Sequence, residues 1–242
     1  MEPDLAAVHK QFPAVAEYLS SIYIILRDYG TVSNTRLAEW NEVSAPAVSQ
    51  AIGRLKRLGL VRQKRYESVS LTESGRDLAM KVLRRHYLIE HLLVRLLDYP
   101  WDKADEEAKL LQTQISDDLT EHLFKRLGSP QTCPHGNPMP RAQIERRLLS
   151  APKLSDVENG NQVMILRITE EGEQLPSLLA FCHRYALHPG NHFEVEGVSS
   201  ESILLRPRAG HSQTGVAPLV ALPILYARHI RYEPSASGDK AH

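Results

Sequence analysis

Cysteine is scarce: the 242-residue chain has two, Cys133 and Cys182. They form no CxxC pair and no disulfide framework, which excludes a zinc site of that spacing and a cystine-stapled scaffold. No stretch approaches the roughly 18 consecutive apolar residues that would cross a bilayer. The N-terminus lacks the basic region and apolar core of a signal peptide, so a cytoplasmic protein is expected. Net charge is also missing. Twenty-nine basic residues balance 29 acidic ones, which excludes a uniformly basic nucleic-acid binder. There is no glycine-rich phosphate loop, no GxSxG and no HExxH. Glu121-His122 is an adjacent pair, and neighbours on a helix do not face each other. The expectation is therefore a protein that is not an enzyme.

The charge that is present is unevenly placed. Val43 to Tyr66 holds six basic residues (Arg54, Lys56, Arg57, Arg62, Lys64, Arg65) and no acid. Trp101 to Glu121 holds seven acids and two lysines. This segregation predicts a local anion-binding surface and a separate acidic helix.

Val15, Tyr18, Leu19, Ile22 and Leu26 recur at helical spacing, and Gly30 closes that helix. Ser33 or Asn34 caps a short second helix through Trp40, and Ser44 caps a third, with Pro46 in its first turn and Gly59 at its end. Leu60–Lys64 and Val69–Leu71 read as a hairpin. A long helix is expected over 73–97 and a further one over 103–127. The stretch 128–140 has four prolines and two glycines and reads as a loop. A short helix at 141–149 follows. Strands are expected at 163–168, 192–198, 202–206 and 227–232, with a helix at 174–187 and a disordered tail over 233–242.

Residues 37–55 fit a helix-turn-helix. Ala47, Ser49 and Gln50 are short enough for the second helix to enter a major groove about 12 Å wide. Gln50 can pair with adenine edges, and Ala47 or Pro46 can touch a thymine methyl. Ser44 and the helix N-terminus can hold a phosphate. Arg54, Lys56 and Arg57 add backbone contacts, and Arg62, Lys64 and Arg65 lie where a wing would be. The competing reading is a helical hairpin with a solvated basic face. The expected partner is double-stranded operator DNA.

Six blocks carry a family resemblance: 17–23 (EYLSSIY), 44–50 (SAPAVSQ), 59–61 (GLV), 71–76 (LTESGR), 85–90 (RHYLIE) and 133–138 (CPHGNP). In order and spacing the chain resembles the diphtheria-toxin-repressor family of iron- and manganese-dependent regulators. The resemblance implies an α+β, mostly α protein: a winged helix-turn-helix domain (1–75), a helical dimerisation and metal-sensing domain (76–150) and an SH3-like β-barrel (151–232). It also implies a homodimer that represses genes of metal-ion homeostasis when loaded with Fe²⁺ or Mn²⁺. Ser44, Pro46, Ala47, Ser49 and Gln50 fall on the family's DNA-reading positions, although several members carry threonine where Ala47 stands.

The same resemblance puts Glu17, His86, Glu90 and Asp105 at metal-ligand positions. His86 and Glu90, four residues apart, interrupt an apolar helical face and so need partners or a metal; a pair satisfied within the protein is the alternative. Three further ligand positions hold Lys109, Gln112 and Thr113. The family has there a carboxylate or cysteine, a glutamate and a histidine. A protonated lysine donates hydrogen bonds and cannot ligate. At most one Mn²⁺ or Fe²⁺ per protomer is therefore expected, with weak metal control. Lys109 either substitutes a tethered cation near Glu17 or points to water. The alternative function is a metal-independent, redox-triggered or small-ligand-triggered regulator. Glu173 is a weak choice for a barrel ligand, and Cys133 and His135 are read as part of a structural loop.

Overall fold

A computed structural model describes residues 5–64, 67–208 and 219–235, apart from the side chains of Ala6 and Gln11. The chain divides into two compact units: 1–92 with 106–129, and 93–105 with 130–242.

The first unit begins with helix α1 (Leu5–Gln11), which no sequence pattern suggested. Helix α2 (Val15–Tyr29) follows and is closed by Gly30 at φ 80°, the left-handed conformation that glycine adopts without a Cβ penalty. Ser33 caps α3 (Asn34–Trp40), its hydroxyl accepting from the Arg36 amide at 3.0 Å. Ser44 caps α4 (Ala45–Arg57) through the Ala47 amide at 3.4 Å. Such caps contribute about 1 kcal/mol each. Val48, Ala51, Ile52 and Leu55 form the buried stripe of α4. Strands β1 (Val61–Arg62) and β2 (Ser70–Leu71) pair antiparallel, shorter than the hairpin expected.

Helix α5 (Glu73–Leu96) starts against this hairpin. Thr72 donates from its hydroxyl to the Gly59 carbonyl at 2.7 Å and from its amide to the Leu60 carbonyl at 3.0 Å. At Gly75 the helix passes so close that a Cβ would lie 1.9 Å from the Leu60 carbonyl oxygen.

The single helix expected over 103–127 is instead three pieces: a 3₁₀ turn at Trp101–Lys103, α6 (Ala104–Leu111) and α7 (Asp117–Arg126). The break has a local cause. Ser116 adopts an extended conformation and accepts from the Leu119 amide, and Asp117 and Asp118 occupy the first turn of α7. That is a helix start, with acids at the positive end of the dipole. Arg85 donates to Asp117 at 2.7 Å and Arg84 forms a two-pronged pair with Glu121, tying α7 to α5. The Arg85 guanidinium is the main reason the Asp117 carboxyl lies below the usual aspartate range.

In the second unit, α8 (Glu145–Ser150) precedes a five-stranded antiparallel sheet. Its strands are β3 (Gln162–Ile168), β4 (His192–Val198), β5 (Ser202–Pro207), β6 (Val220–Pro223) and β7 (Ile230–Pro234), in the order β6-β5-β4-β3-β7. Bulges fall between Ile165 and Arg167 and between Val195 and Gly197. The inner positions Val163, Ile165, Phe193, Val195, Ile203, Leu205 and Leu222 close one apolar core with Trp101.

The helix expected at 174–187 is split into α9 (Glu170–Glu173) and α10 (Leu178–Arg184). Pro176 and a left-handed Ser177 (φ 65°) lie between them. The strand expected from Ala227 begins only at Ile230, because α11 (Ile224–Ala227) precedes it. It runs to Pro234, two residues into the segment expected to be disordered, where Met164 pairs with Glu233 and Val163 with Pro234. Residues 236–242 lie outside the described residues.

Candidate functional site

Helices α3 and α4 pack against each other with a tight turn at Asn41–Val43, where Glu42 is left-handed at φ 51°. The Val43 amide donates to the Ala38 carbonyl at 3.0 Å and fixes that turn. The buried stripe of α4 turns its other side to solvent. Ser44, Pro46, Ser49 and Gln50 are exposed and Ala47 is half-buried. The Ser49 hydroxyl donates back to the Ala45 carbonyl at 3.1 Å.

Arg54 is exposed, with its guanidinium 5.4 Å from the centre of the Phe12 ring. Lys56 donates to the Gln63 carbonyl at 3.0 Å, and Gln63 bridges Asn34 and the Glu67 carbonyl, which anchors the wing to α3 and α4. Lys64 is exposed and 3.9 Å from Glu67, a solvated pair of little energetic weight. Arg65 lies outside the described residues. The surface thus offers small polar groups at a helix start, and cations beside them that the protein leaves in water. Such an arrangement can take a polyanion with groove edges to read.

A second set of groups is buried. On α5, His86 Nε2 and Glu90 Oε1 are 2.8 Å apart, with side-chain exposures of 7% and 0%. An ionisable pair this deep has lost its hydration and must be held by its partners or by a cation. Glu17, expected beside them, is exposed on α2. It carries no ion pair to Lys109 among the described residues, and Lys109 is itself exposed. Gln112 is buried just beyond α6, its amide donating to the Lys109 carbonyl at 3.2 Å, and Thr113 is half-buried in the break before α7. Asp105, in the first turn of α6, is buried and belongs to the second unit.

The second unit has its own buried donors, and sequence reasoning passed over two of them. Cys133 and His135, read as a structural loop, are 2% and 0% exposed. The Cys133 sulfur accepts from the His135 amide at 3.3 Å. His135 Nε2 is 3.0 Å from the Trp101 carbonyl oxygen. A carbonyl only accepts, so Nε2 carries the hydrogen, and in the neutral ring Nδ1 keeps a lone pair. That nitrogen is 3.4 Å from Glu173 Oε1. Asn137 orients Glu173 by donating to the same oxygen at 2.6 Å and to the Ile168 carbonyl at 2.8 Å. An imidazole fixed through one nitrogen by a carbonyl, beside a carboxylate and a thiol, is a donor set that suits a transition dication. Gly136, at φ 91° and pressed so close that a Cβ would meet the Leu166 carbonyl oxygen at 2.2 Å, belongs to a loop built into the core; the sequence offered only the glycine within the 133–138 block.

Residues 12–69 match the iron-dependent repressor N-terminal DNA-binding domain, and residues 72–141 match the iron-dependent repressor metal-binding and dimerisation domain. The diphtheria toxin repressor of Corynebacterium jeikeium is 30% identical over 194 residues, spanning 72% of this chain and 81% of that protein. The chain belongs to the iron-dependent repressor family. The iron-dependent repressor IdeR of Mycobacterium tuberculosis is 40% identical over 123 residues, 51% of this chain and 54% of that protein. The chain thus spans about half the length of such curated relatives. Among solved structures, a manganese-dependent transcriptional repressor in complex with manganese superposes with a TM-score of 0.75 at 28% identity, covering 91% of this chain and all of that one. The resemblance drawn from the six sequence blocks and the α+β, mostly α fold class are both borne out. The family's metal-binding domain also bears out iron or manganese as the class of cofactor. No helix among the described residues is long and apolar enough to cross a membrane.

Proposed function

We propose that this chain is a homodimeric, dication-responsive transcriptional repressor of metal-homeostasis genes that reads operator DNA with α4 and its wing, and that it has no catalytic activity. The observation that carries the reading is the exposed start of α4. Ser49 and Gln50 stand free of the core on a capped helix, flanked by Arg54, Lys56, Arg57 and Lys64. Its organisation is a DNA-binding part over 1–75, a dimerisation and metal-sensing part over 76–150 and an SH3-like part over 151–232. Leu110, Leu111 and Leu119 support the dimer. They expose large apolar side chains on α6 and α7 (Leu110 is 69% exposed), a cost that a partner surface removes.

His86 and Glu90 are the residues of α5 that hold the metal. Both are buried and already face each other, so binding a cation replaces an internal pair rather than ordering a loop. Cys133 and His135 offer a thiol and an imidazole to the same class of ion within the second unit. A bound dication supplies the positive charge that lets the Glu90 carboxylate stay ionised out of water. Lys109, Gln112 and Thr113 offer no anionic donor, so the chain takes at most one Mn²⁺ or Fe²⁺ per protomer.

The test is metal content of the purified protein together with operator affinity, with and without chelator. One Mn²⁺ or Fe²⁺ per chain at most, lost in His86→Ala with Glu90→Gln, is expected. DNA affinity that is the same in that variant, in chelated protein and in Mn²⁺-loaded protein would favour the metal-independent regulator.

A further inference from the structure

The second unit contains a pair of imidazoles that neither the DNA surface nor the buried donors use. His183 lies in the last turn of α10, and His188 follows after a turn in which Ala186 is left-handed at φ 54°. The turn is fixed at both ends. The Leu187 amide donates to the Cys182 carbonyl at 2.8 Å, and the Leu187 side chain is fully buried. His183 Nδ1 stands 3.3 Å from His188 Nε2, with ring centres 5.3 Å apart and planes 18° apart. The Trp101 ring packs against both imidazoles, its centre 4.3 Å from that of His188 and 6.1 Å from that of His183.

The spacing can be compared with two fillings of the gap. A tetrahedral ion about 2.05 Å from each nitrogen sets the nitrogens about 3.3 Å apart and the ring centres about 5.2 Å apart. A straight N–H···N hydrogen bond of the same nitrogen separation sets the ring centres about 5.6 Å apart. The observed separation of the ring centres, 5.3 Å, is nearer the first value.

We propose that His183 and His188 form a two-imidazole site for a borderline transition dication of the Zn²⁺, Ni²⁺ and Cu²⁺ class. Water completes the coordination on the exposed His183 side, and the Trp101 ring backs the site. Neutral imidazole favours these ions over Mn²⁺ or Mg²⁺, which prefer oxygen donors. The Asp102 charge also acts on His188 and draws a cation to it. The site shares no donor with His86 and Glu90 or with Cys133 and His135.

Trp101 supplies the readout. The chain has two tryptophans, so Trp40→Phe leaves Trp101 as the single indole reporter in the full-length protein. After removal of metal, Cu²⁺ is expected to quench Trp101 fluorescence with one saturable equivalent. Zn²⁺ should restore the signal in competition, and Mn²⁺ should not. His183→Ala removes an exposed side chain and spares the core, so it is the informative variant. It should shift the titration by about tenfold or more, as loss of a metal-coordinating contact does, and His188→Ala should do the same. His86→Ala with Glu90→Gln should leave the quench unchanged. A Cu²⁺ titration that is identical in His183→Ala and its parent overturns the proposal, as does quenching that never saturates. In the first case the ion sits elsewhere near Trp101, and in the second the two rings share only a hydrogen bond.

Discussion

At the scale of single residues, the proposed DNA contacts divide into readout and affinity. Gln50 is exposed on the outer side of α4 and Lys64 is exposed on the wing. An amide that pairs with one base and a cation that pairs with any phosphate should fail differently. Gln50→Ala is expected to cost roughly 1–3 kcal/mol on the best operator and to relax preference at one base pair. Lys64→Ala should weaken all sequences alike and reduce the salt slope by about 1. Binding curves on an operator and a scrambled duplex, repeated at several salt concentrations, check both. Gln50→Ala with unaltered sequence preference would move the recognition surface off this part of α4.

His188 gives a pH dependence at the same scale. Burial, helped by the neighbouring charges of His183 and His135, lowers its pKa from 6.5 to about 4. The unfolded chain therefore takes a proton near pH 6.5, while the folded chain resists until about pH 4. Stability contributed by neutral His188 is complete above pH 6.5 and is lost as pH falls towards 4. The full shift corresponds to about 3.4 kcal/mol, and solvent screening of the half-buried ring brings its contribution below that. Denaturant melts in chelator between pH 7.5 and 4.5 should show a steeper loss for the parent than for His188→Gln. Equal slopes would mean that the ring is solvated.

At the scale of elements, the junction between the wing and α5 is tightly packed. A methyl at Gly75 would meet the Leu60 carbonyl oxygen at 1.9 Å. Backbone cannot yield as a flexible side chain does, so the start of α5 must move away from the strand. Gly75→Ala is expected to lower stability by about 1–3 kcal/mol, the usual cost of overpacking. It should also loosen operator binding by shifting the wing. Thermal melts and DNA titration of the same preparation measure the two effects. An unchanged melt would show that the helix start tolerates displacement. The caps of α3, α4 and α7 were legible in the sequence to different degrees. Ser33 and Ser44 precede apolar periodicity and stand out. Ser116 follows the polar run Gln112-Thr113-Gln114, which continues an amphipathic pattern well enough to hide a helix boundary.

At the scale of the whole molecule, the exposed leucines of α6 and α7 and the two-half-site habit of winged helices argue for a symmetric dimer. Sedimentation at micromolar concentration should give a dimer. Leu110→Glu should shift it towards monomer and weaken operator binding, while the helical signal stays unchanged. A monomer in both apo and metal-treated samples would rule the dimer out.

The sequence alone determined the local elements whose signals are local: capped helices, the glycine stop at Gly30, the acid-free stretch and the strands β3 to β5. Hydrogen bonds between neighbours and a fixed periodicity write such features directly into the chain. It also carried the family, because six short blocks survive in order. Only tertiary structure decided which polar residues are buried. Glu17 reads as a ligand by position and is exposed, whereas Cys133 and His135 read as loop and lie in the core, with Glu173 brought to His135 from elsewhere in the chain. The same holds for Trp101 and the His183–His188 pair, which are more than 80 residues apart along the chain and packed together in the fold. Burial and ligand convergence depend on contacts distant in sequence, and no periodicity along the chain encodes them.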